Sequence, residues 1–184
     1  MSKLASFENR VVFMGDSITQ GWSVAIPEFF EGKPYIRKGI GGQTTQQMIA
    51  RFQKDVINLQ PELVVILAGT NDIAGNTGPT TNEMIQLNIS KMANIAHING
   101  IKVILSSILP AYDYPWRPGT FPSQRIIDIN TWMKNYCEQN SHIYLDYWTA
   151  MADDNNGLKD EYTYDGVHVT KAGYNLMQSL VEPI

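Results

Sequence analysis

Five short apolar runs recur along the chain, separated by segments in which apolar residues repeat every three or four positions. Continuous apolar runs are typical of strands that are covered on both faces, as in parallel sheets. The predicted strands cover 10–15, 35–40, 62–69, 101–108 and 142–148. The helical spacing predicts helices over 45–59, 81–98, 123–139 and about 171–181. This alternation predicts an α/β protein with an open parallel sheet and helices on both of its faces.

Residues near both ends of the predicted helix over 81–98 indicate where it begins and stops. Thr80 and Glu83 have the spacing of a capping box at its start, and Gly100 supplies a stop at its end. The chain contains no internal repeat and no linker rich in Pro, Gly or Ser. We therefore expect residues 1–184 to form one domain.

Composition narrows the classes of partner. Of the 184 residues, 43% are hydrophobic and 17% are charged, which is typical of a globular protein. The net charge of −4 gives no electrostatic reason to expect binding to nucleic acid or to an anionic membrane surface.

The cysteine content and the N-terminal sequence bear on the cellular compartment. Cys137 is the only cysteine, so no intramolecular disulfide is possible. The first ten residues lack the apolar segment of a signal peptide, and no apolar run approaches the ~20 residues of a membrane span. We expect a cytoplasmic protein with no membrane association.

The first predicted strand leads directly into a polar stretch, in the sequence VVFMGDSITQGW. Ligands of open α/β sheets bind beyond the carboxyl ends of the strands, which is where Ser17 falls. A phosphate-binding loop is excluded because five residues, not four, separate Gly15 from Gly21. An α/β-hydrolase elbow is excluded because Thr19 stands where that motif has its second glycine. Taken alone, the stretch fits a turn capped by Asp16 or Ser17 equally well.

Three further segments carry candidate chemistry. The segment GIGGQTT, from residue 39, fails as a dinucleotide fingerprint, but its glycines allow a backbone N–H to approach a ligand. Asn71 follows the third predicted strand. His168 lies three residues after Asp165, where a carboxylate can accept the Nδ1 proton and leave Nε2 free as a base. By contrast, His97 is expected at a helix end, and His142 at the opposite rim of the sheet.

Together, the segments GDSITQG, KGIGGQTT, GTND and DGVH resemble, in order and spacing, the four blocks of the SGNH or GDSL hydrolase family of esterases and lipases. The resemblance runs from residue 11 to about 178. It implies a three-layer, flavodoxin-like α/β/α fold with five parallel strands in the order 2-1-3-4-5. Two departures are Arg37 and Lys38, where the family often has an Asn before the glycines, and Val169 in place of a frequent Pro.

The resemblance also implies roles for particular residues. Ser17, His168 and Asp165 match the catalytic triad, and Ser17, Gly42 and Asn71 match the oxyanion hole. Asp16 and Asp72 are expected to satisfy loop N–H groups. The stretch LPAYDYPWRPG is similar to a loop of some bacterial acylhydrolases of the family. Candidates for the substrate wall are Trp22, Tyr112, Tyr114 and Trp116, and ordinary packing accounts for each of them at least as well.

The expected activity is hydrolysis of small-molecule carboxylic esters, with short acyl or acetyl groups and an alcohol such as a carbohydrate, through an acyl-enzyme. No metal or other cofactor is expected. Two alternatives stay open: a thioesterase or lysophospholipase, and a ligand-binding module that keeps the fold without turnover. The sequence leaves the oligomeric state and the natural ester undetermined.

Overall fold

Five short strands form one parallel sheet in the computed structural model, which describes residues 9–182. They are β1 (Val11–Gly15), β2 (Tyr35–Gly39), β3 (Leu63–Leu67), β4 (Lys102–Ser106) and β5 (Ile143–Leu145). Every pair of neighbours is parallel, in the order β2-β1-β3-β4-β5, so the predicted order is confirmed. Residues 1–8, on which the expectation about a signal peptide rests, and residues 183–184 lie outside the described residues.

Seven α-helices occur between residues 9 and 182. They are α1 (Ser17–Ala25), α2 (Thr45–Asp55), α3 (Thr70–Ile73), α4 (Asn82–Ile98), α5 (Ser123–Asn140), α6 (Tyr147–Met151) and α7 (Lys171–Val181). Short 3-10 helices cover Pro27–Phe29, Ile57–Leu59 and Asp160–Tyr162. None of the helices in this part of the chain has the length and apolar character needed to cross a membrane.

The core lies on both faces of the sheet because successive strand residues point to opposite sides. In β1, Val12 and Met14 belong to a buried cluster that also contains residues of α2, α4 and α5. Phe13 belongs to a second buried cluster, with residues of α1 and α7. The sheet is therefore the middle of three layers, as the apolar runs predicted.

Several element boundaries differ from the predictions. The prediction did not include α1, which begins immediately after β1 because the Asp16 side chain caps it by accepting from the Ile18 N–H at 2.9 Å. The cap of α4 is Thr81, which accepts from the Met84 N–H, and not Thr80. The fifth strand ends early because Asp146 caps α6, accepting from the Thr149 N–H.

The strand register brings three loops to one edge of the sheet. Gly15 pairs with Gly39 on one side and with Leu67 on the other, so β1, β2 and β3 end at the same level. The segments that follow them contain the predicted blocks around Ser17, Gly42 and Asn71. The fold therefore places these three blocks side by side.

Candidate active site

Two glycines allow the start of α1 to lie close against the ends of β1 and β2. A Cβ atom added at Gly15 would overlap the Thr19 side chain and would lie 2.9 Å from the Leu67 carbonyl oxygen. A Cβ atom added at Gly39 would overlap the backbone of Gln20. Because real Cβ atoms do not make such contacts with backbone atoms, only glycine fits at Gly39 without a shift of the chain.

Asp16 is a buried carboxylate at the N-cap of α1. Its Oδ1 accepts from the Ile18 N–H at 2.9 Å, and its Oδ2 is 3.4 Å from Asn71 Nδ2. Burial raises the pKa of Asp16 to about 6, although the hydrogen bond from Ile18 and the nearby His168 favour the charged form. The cap fixes Ser17 as the first residue of α1, where its N–H has no partner within the helix.

His168 lies between Ser17 and Asp165. Its Nε2 is 3.1 Å from Ser17 Oγ, and its Nδ1 is 2.7 Å from Asp165 Oδ2. A carboxylate beside Nδ1 favours the tautomer with the proton on that nitrogen, so Nε2 is free to accept from the Ser17 hydroxyl. Burial raises the pKa of Asp165, but hydrogen bonds from the His168 ring, from the His168 N–H and from the Val167 N–H outweigh it and leave the pKa below its ordinary value.

Residues 163–168, here called the Asp-His turn, are held by their own hydrogen bonds. Thr163 Oγ1 donates to the His168 carbonyl at 2.7 Å and accepts from the Gly166 N–H at 2.9 Å. Asp165 Oδ1 accepts from the N–H groups of Val167 and His168, at 2.9 and 2.7 Å. Gly166 has φ +87°, which a residue with a side chain adopts only under strain. Thr163 is not among the residues predicted from the sequence, although a Thr hydroxyl that bonds to nearby backbone is a known turn device.

The predicted oxyanion-hole residues meet in one small pocket. Ser17, Gly42, Asn71, Asn76, Trp116 and His168 line a cavity of about 190 Å³. Gly42 has φ +73°, which turns its peptide at the end of the GIGG segment. Asn71 Nδ2 donates to the Gln43 carbonyl at 3.1 Å, so its amide nitrogen faces the same side as this segment. Of these residues, the sequence analysis missed Asn76.

Buried ionic and polar contacts hold the loops under this pocket. Asp72 accepts from both the N–H and the hydroxyl of Thr45, which joins the segment after β3 to the start of α2. Burial raises the pKa of Asp72. Arg51 donates to the carbonyls of Gly15 and Lys38, both at 2.9 Å, so one guanidinium holds the ends of β1 and β2. Sequence spacing gave no sign of Arg51, because its contacts lie across the fold.

The four aromatic candidates for the substrate wall have different positions. Trp22 is a correction: its side chain is 2% exposed, stacked on Phe29 and Tyr174, and it belongs to the core. The prediction is wrong because α1 turns this side chain towards the sheet and away from the cavity of Ser17. Trp116 lines the pocket of Ser17, with its ring centroid 6.0 Å from that of His168. Tyr112 and the buried Tyr114 line a neighbouring groove of about 550 Å³.

The chain is similar to known proteins along most of its length. The model of the GDSL-like lipase/acylhydrolase family matches residues 13–176, a range that includes Ser17, Gly42, Asn71 and His168. The chain belongs to this family. Among solved structures, a GDSL-like lipase of Bacteroides thetaiotaomicron is 44% identical, with a TM-score of 0.95 over 100% of this chain and 90% of that one.

Two further proteins are similar to this chain, which covers most of the first but less than half of the second. A candidate acylhydrolase of Bacteroides fragilis is 45% identical, with a TM-score of 0.94 over 99% of this chain and 87% of that one. An N-acylneuraminate cytidylyltransferase of Streptococcus agalactiae is 28% identical over 178 residues, which are 97% of this chain and 39% of that protein. The chain thus spans two-fifths to one half of the length of the first curated relatives it matches.

Proposed function

We propose that this member of the GDSL-like family is a serine hydrolase of carboxylic esters, with Ser17 as nucleophile, His168 as general base and Asp165 as the residue that orients the imidazole. One observation carries the proposal. The chain of contacts from Ser17 Oγ to His168 Nε2 (3.1 Å) and from His168 Nδ1 to Asp165 Oδ2 (2.7 Å) is the arrangement that activates a serine hydroxyl.

The reaction proceeds in two halves. Ser17 Oγ attacks the ester carbonyl carbon while its proton moves to His168 Nε2. The tetrahedral intermediate collapses, the bond to the alcohol oxygen breaks, and His168 returns the proton to the leaving alcohol. Water then enters, gives a proton to His168 and attacks the acyl carbon. The bond between that carbon and Ser17 Oγ breaks, His168 returns the proton to Ser17 Oγ, and the carboxylic acid leaves. Asp165 stabilises the imidazolium that forms in each half.

Three donors stabilise the oxyanion in this proposal. They are the backbone N–H groups of Ser17 and Gly42 and the side-chain amide of Asn71, all of which belong to residues of the same cavity. Asn71 Nδ2 is 3.4 Å from Asp16 Oδ2, a long contact that an oxyanion replaces with a shorter one. Loss of one such donor typically lowers kcat by ~10²–10³-fold.

The two cavities near Ser17 favour a short acyl group and a neutral alcohol. The cavity around Ser17, of about 190 Å³, is bounded by Trp116 and suits an acetyl group better than a long chain. The neighbouring groove has four aspartates and no Lys or Arg among its lining residues. Its carboxylates disfavour substrates whose alcohol or thiol part carries phosphate, such as lysophospholipids and acyl-coenzyme A. Hydroxyl-rich carbohydrates can donate hydrogen bonds to the same carboxylates.

An ester panel tests this function. We expect the purified protein to hydrolyse acetyl and butyryl esters, and acetylated neutral sugars, faster than long-chain esters, acyl-coenzyme A or lysophospholipids. Ser17→Ala should remove the activity, whereas the matched variant Ser23→Ala, whose hydroxyl donates to the Gln20 carbonyl within α1, should retain it. Faster hydrolysis of the long-chain or phosphate-bearing substrates would contradict the substrate class, and equal activity of Ser17→Ala would contradict the mechanism.

A further inference from the structure

Asn76 contacts two of the three oxyanion-hole residues of the proposed mechanism. Its Nδ2 donates to Asn71 Oδ1 at 2.8 Å and to the Gly42 carbonyl at 3.3 Å. The hydrogen bond to Asn71 is the shorter of the two and reaches the oxygen of the amide whose nitrogen contacts Asp16 and Gln43. Asn76 itself lies on the rim of the cavity.

The contacts of Asn71 fix which way its amide faces. Its Nδ2 meets two acceptors, the Gln43 carbonyl and Asp16 Oδ2, and its Oδ1 meets the donor on Asn76. A flipped amide would place oxygen against both acceptors and nitrogen against the Asn76 donor. The donor of Asn76 is therefore one of three groups that disfavour the flipped form.

Trp116 extends this chain by one further hydrogen bond. Its indole Nε1–H donates to Asn76 Oδ1 at 3.1 Å, so both ends of the Asn76 amide are engaged. The indole is 40% exposed and stacks on the buried Tyr114 ring at 5.1 Å. A side chain on the long segment between β4 and α5 is thereby joined to the segment that follows β3.

We propose that Asn76 is a positioning residue for the oxyanion hole, and that Trp116 acts through it. The donors point in one direction: Trp116 Nε1–H to Asn76 Oδ1, Asn76 Nδ2–H to Asn71 Oδ1, and Asn71 Nδ2–H to the oxyanion. Hydrogen bonds in such a chain polarise one another, so the last donor becomes stronger as well as better oriented. The proposal rests on the function proposed above, because it assigns Asn76 a task in that reaction.

A positioning role affects kcat more than KM, because the oxyanion exists only after attack on the substrate. We expect Asn76→Asp, which replaces the donor by a carboxylate oxygen facing Asn71 Oδ1, to lower kcat by ~100-fold. Asn76→Ala, which removes the donor without adding a charge, should lower kcat by ~10-fold. KM should change by less than about 3-fold in both variants.

The variant Trp116→Phe distinguishes two roles of Trp116, its hydrogen bond to Asn76 and its contact with the substrate. It keeps an aromatic ring beside His168 but removes the Nε1–H together with one of the two fused rings, so we expect kcat to fall by ~3- to 5-fold. The matched control is Trp132→Phe on α5, where the indole stacks on Tyr136 and lies outside the site. In the double variant Asn76→Ala/Trp116→Phe, the loss should equal that of Asn76→Ala alone, because both changes break one chain.

Three results would overturn this proposal. They are an unchanged kcat in Asn76→Ala, losses that multiply in the double variant, and a rise of KM without loss of kcat in Trp116→Phe, which would make Trp116 a substrate wall only. Ser17→Ala, assayed in parallel, separates the two levels. If Ser17→Ala is inactive while the Asn76 variants keep full kcat, the positioning role fails and the serine mechanism stands. If Ser17→Ala remains active, the proposed function itself fails.

Discussion

Ser17 Oγ and His168 Nε2 are 3.1 Å apart, but different forces hold the two regions that carry them. Ser17 follows a buried strand, with the buried Asp16 on one side and glycines that allow backbone to pack against backbone. His168 lies in the Asp-His turn, where the side chains of His168 and Asp165 are each 28% exposed. Packing and buried hydrogen bonds, including those of Asp16 and Arg51, fix the first region, whereas hydrogen bonds within the turn fix the second.

The two aspartates show what this difference means for charge. Burial raises the pKa of Asp16 to about 6, against 3.8 for a free side chain. Asp165 gains more from its hydrogen bonds to His168 and Val167 than it loses by burial, and its pKa is lowered. Asp16 therefore costs stability when it is ionised, whereas Asp165 is stabilised as the carboxylate that an imidazolium needs. The first is a structural cap, and the second is suited to the reaction.

Removing the charge of Asp165, in the Asp-His turn, should have the largest effect, which should be on kcat. In Asp165→Asn, the new amide N–H faces His168 Nδ1 and favours the tautomer with the proton on Nε2, which cannot accept from Ser17. We expect kcat to fall by ~10³–10⁴-fold. The free energy of unfolding should also fall at neutral pH, because the fold stabilises the ionised Asp165. Asp128→Asn on α5, where the carboxylate accepts only from Gln124, is the matched control and should keep full activity. A loss below tenfold in Asp165→Asn would contradict the role of the turn.

Removing the charge of the buried Asp16 should change the free energy of unfolding by an amount that depends on pH. The folded-state pKa of Asp16, about 6, lies above the value of 3.8 for a free side chain. Its contribution to stability is therefore fully present below pH ~4 and is lost as the pH rises through about 6, by about 3 kcal/mol. Asp16→Asn keeps an acceptor for the Ile18 N–H and does not ionise.

Urea unfolding of both proteins between pH 4 and 8 measures this. The stability of Asp16→Asn relative to the unchanged protein should rise by about 2–3 kcal/mol over that range. A constant difference would show that Asp16 does not ionise at a cost, and the contrast with Asp165 would then fail.

Two glycine substitutions test the contrast between packing and local hydrogen bonding with the smallest expected effects. Gly39→Ala forces a Cβ atom into the backbone of Gln20, which should reduce the free energy of unfolding by about 2–3 kcal/mol. Gly166→Ala has φ +87° but no atom within 4 Å of the added Cβ, so only backbone strain of about 1 kcal/mol is expected. Denaturant midpoints compare the two, and an equal or larger loss in Gly166→Ala would reverse the account.

The sheet could be predicted from the sequence because its strands are short apolar runs, and their order followed from the family resemblance. The start of α1 could not, since SITQGW has too few apolar positions to show a helical period. What makes it a helix is the Asp16 cap and its packing on the sheet. The strand ends and the α4 cap depended on side-chain contacts of one residue, which spacing does not reveal.

The residues that meet at the pocket were named from short motifs, but those that support them were not. Arg51 acts through contacts with the ends of β1 and β2, and Thr163 acts within its own turn. Asn76 contacts both Asn71, five residues away, and Gly42 on the segment after β2. Trp22 was placed in the substrate wall because it is a large aromatic near Ser17 in sequence. In the fold it points the other way, and only the orientation of α1 decides this.

Labelling with a fluorophosphonate probe tests the central claim, that His168 activates Ser17, most directly. The probe phosphonylates a serine hydroxyl only when a neighbouring base removes its proton. We expect one covalent adduct, mapped by mass spectrometry to the peptide that contains Ser17, which is absent in Ser17→Ala and forms far more slowly in His168→Ala. A protein that folds but does not react, or that reacts equally well as Ser17→Ala, would contradict the account.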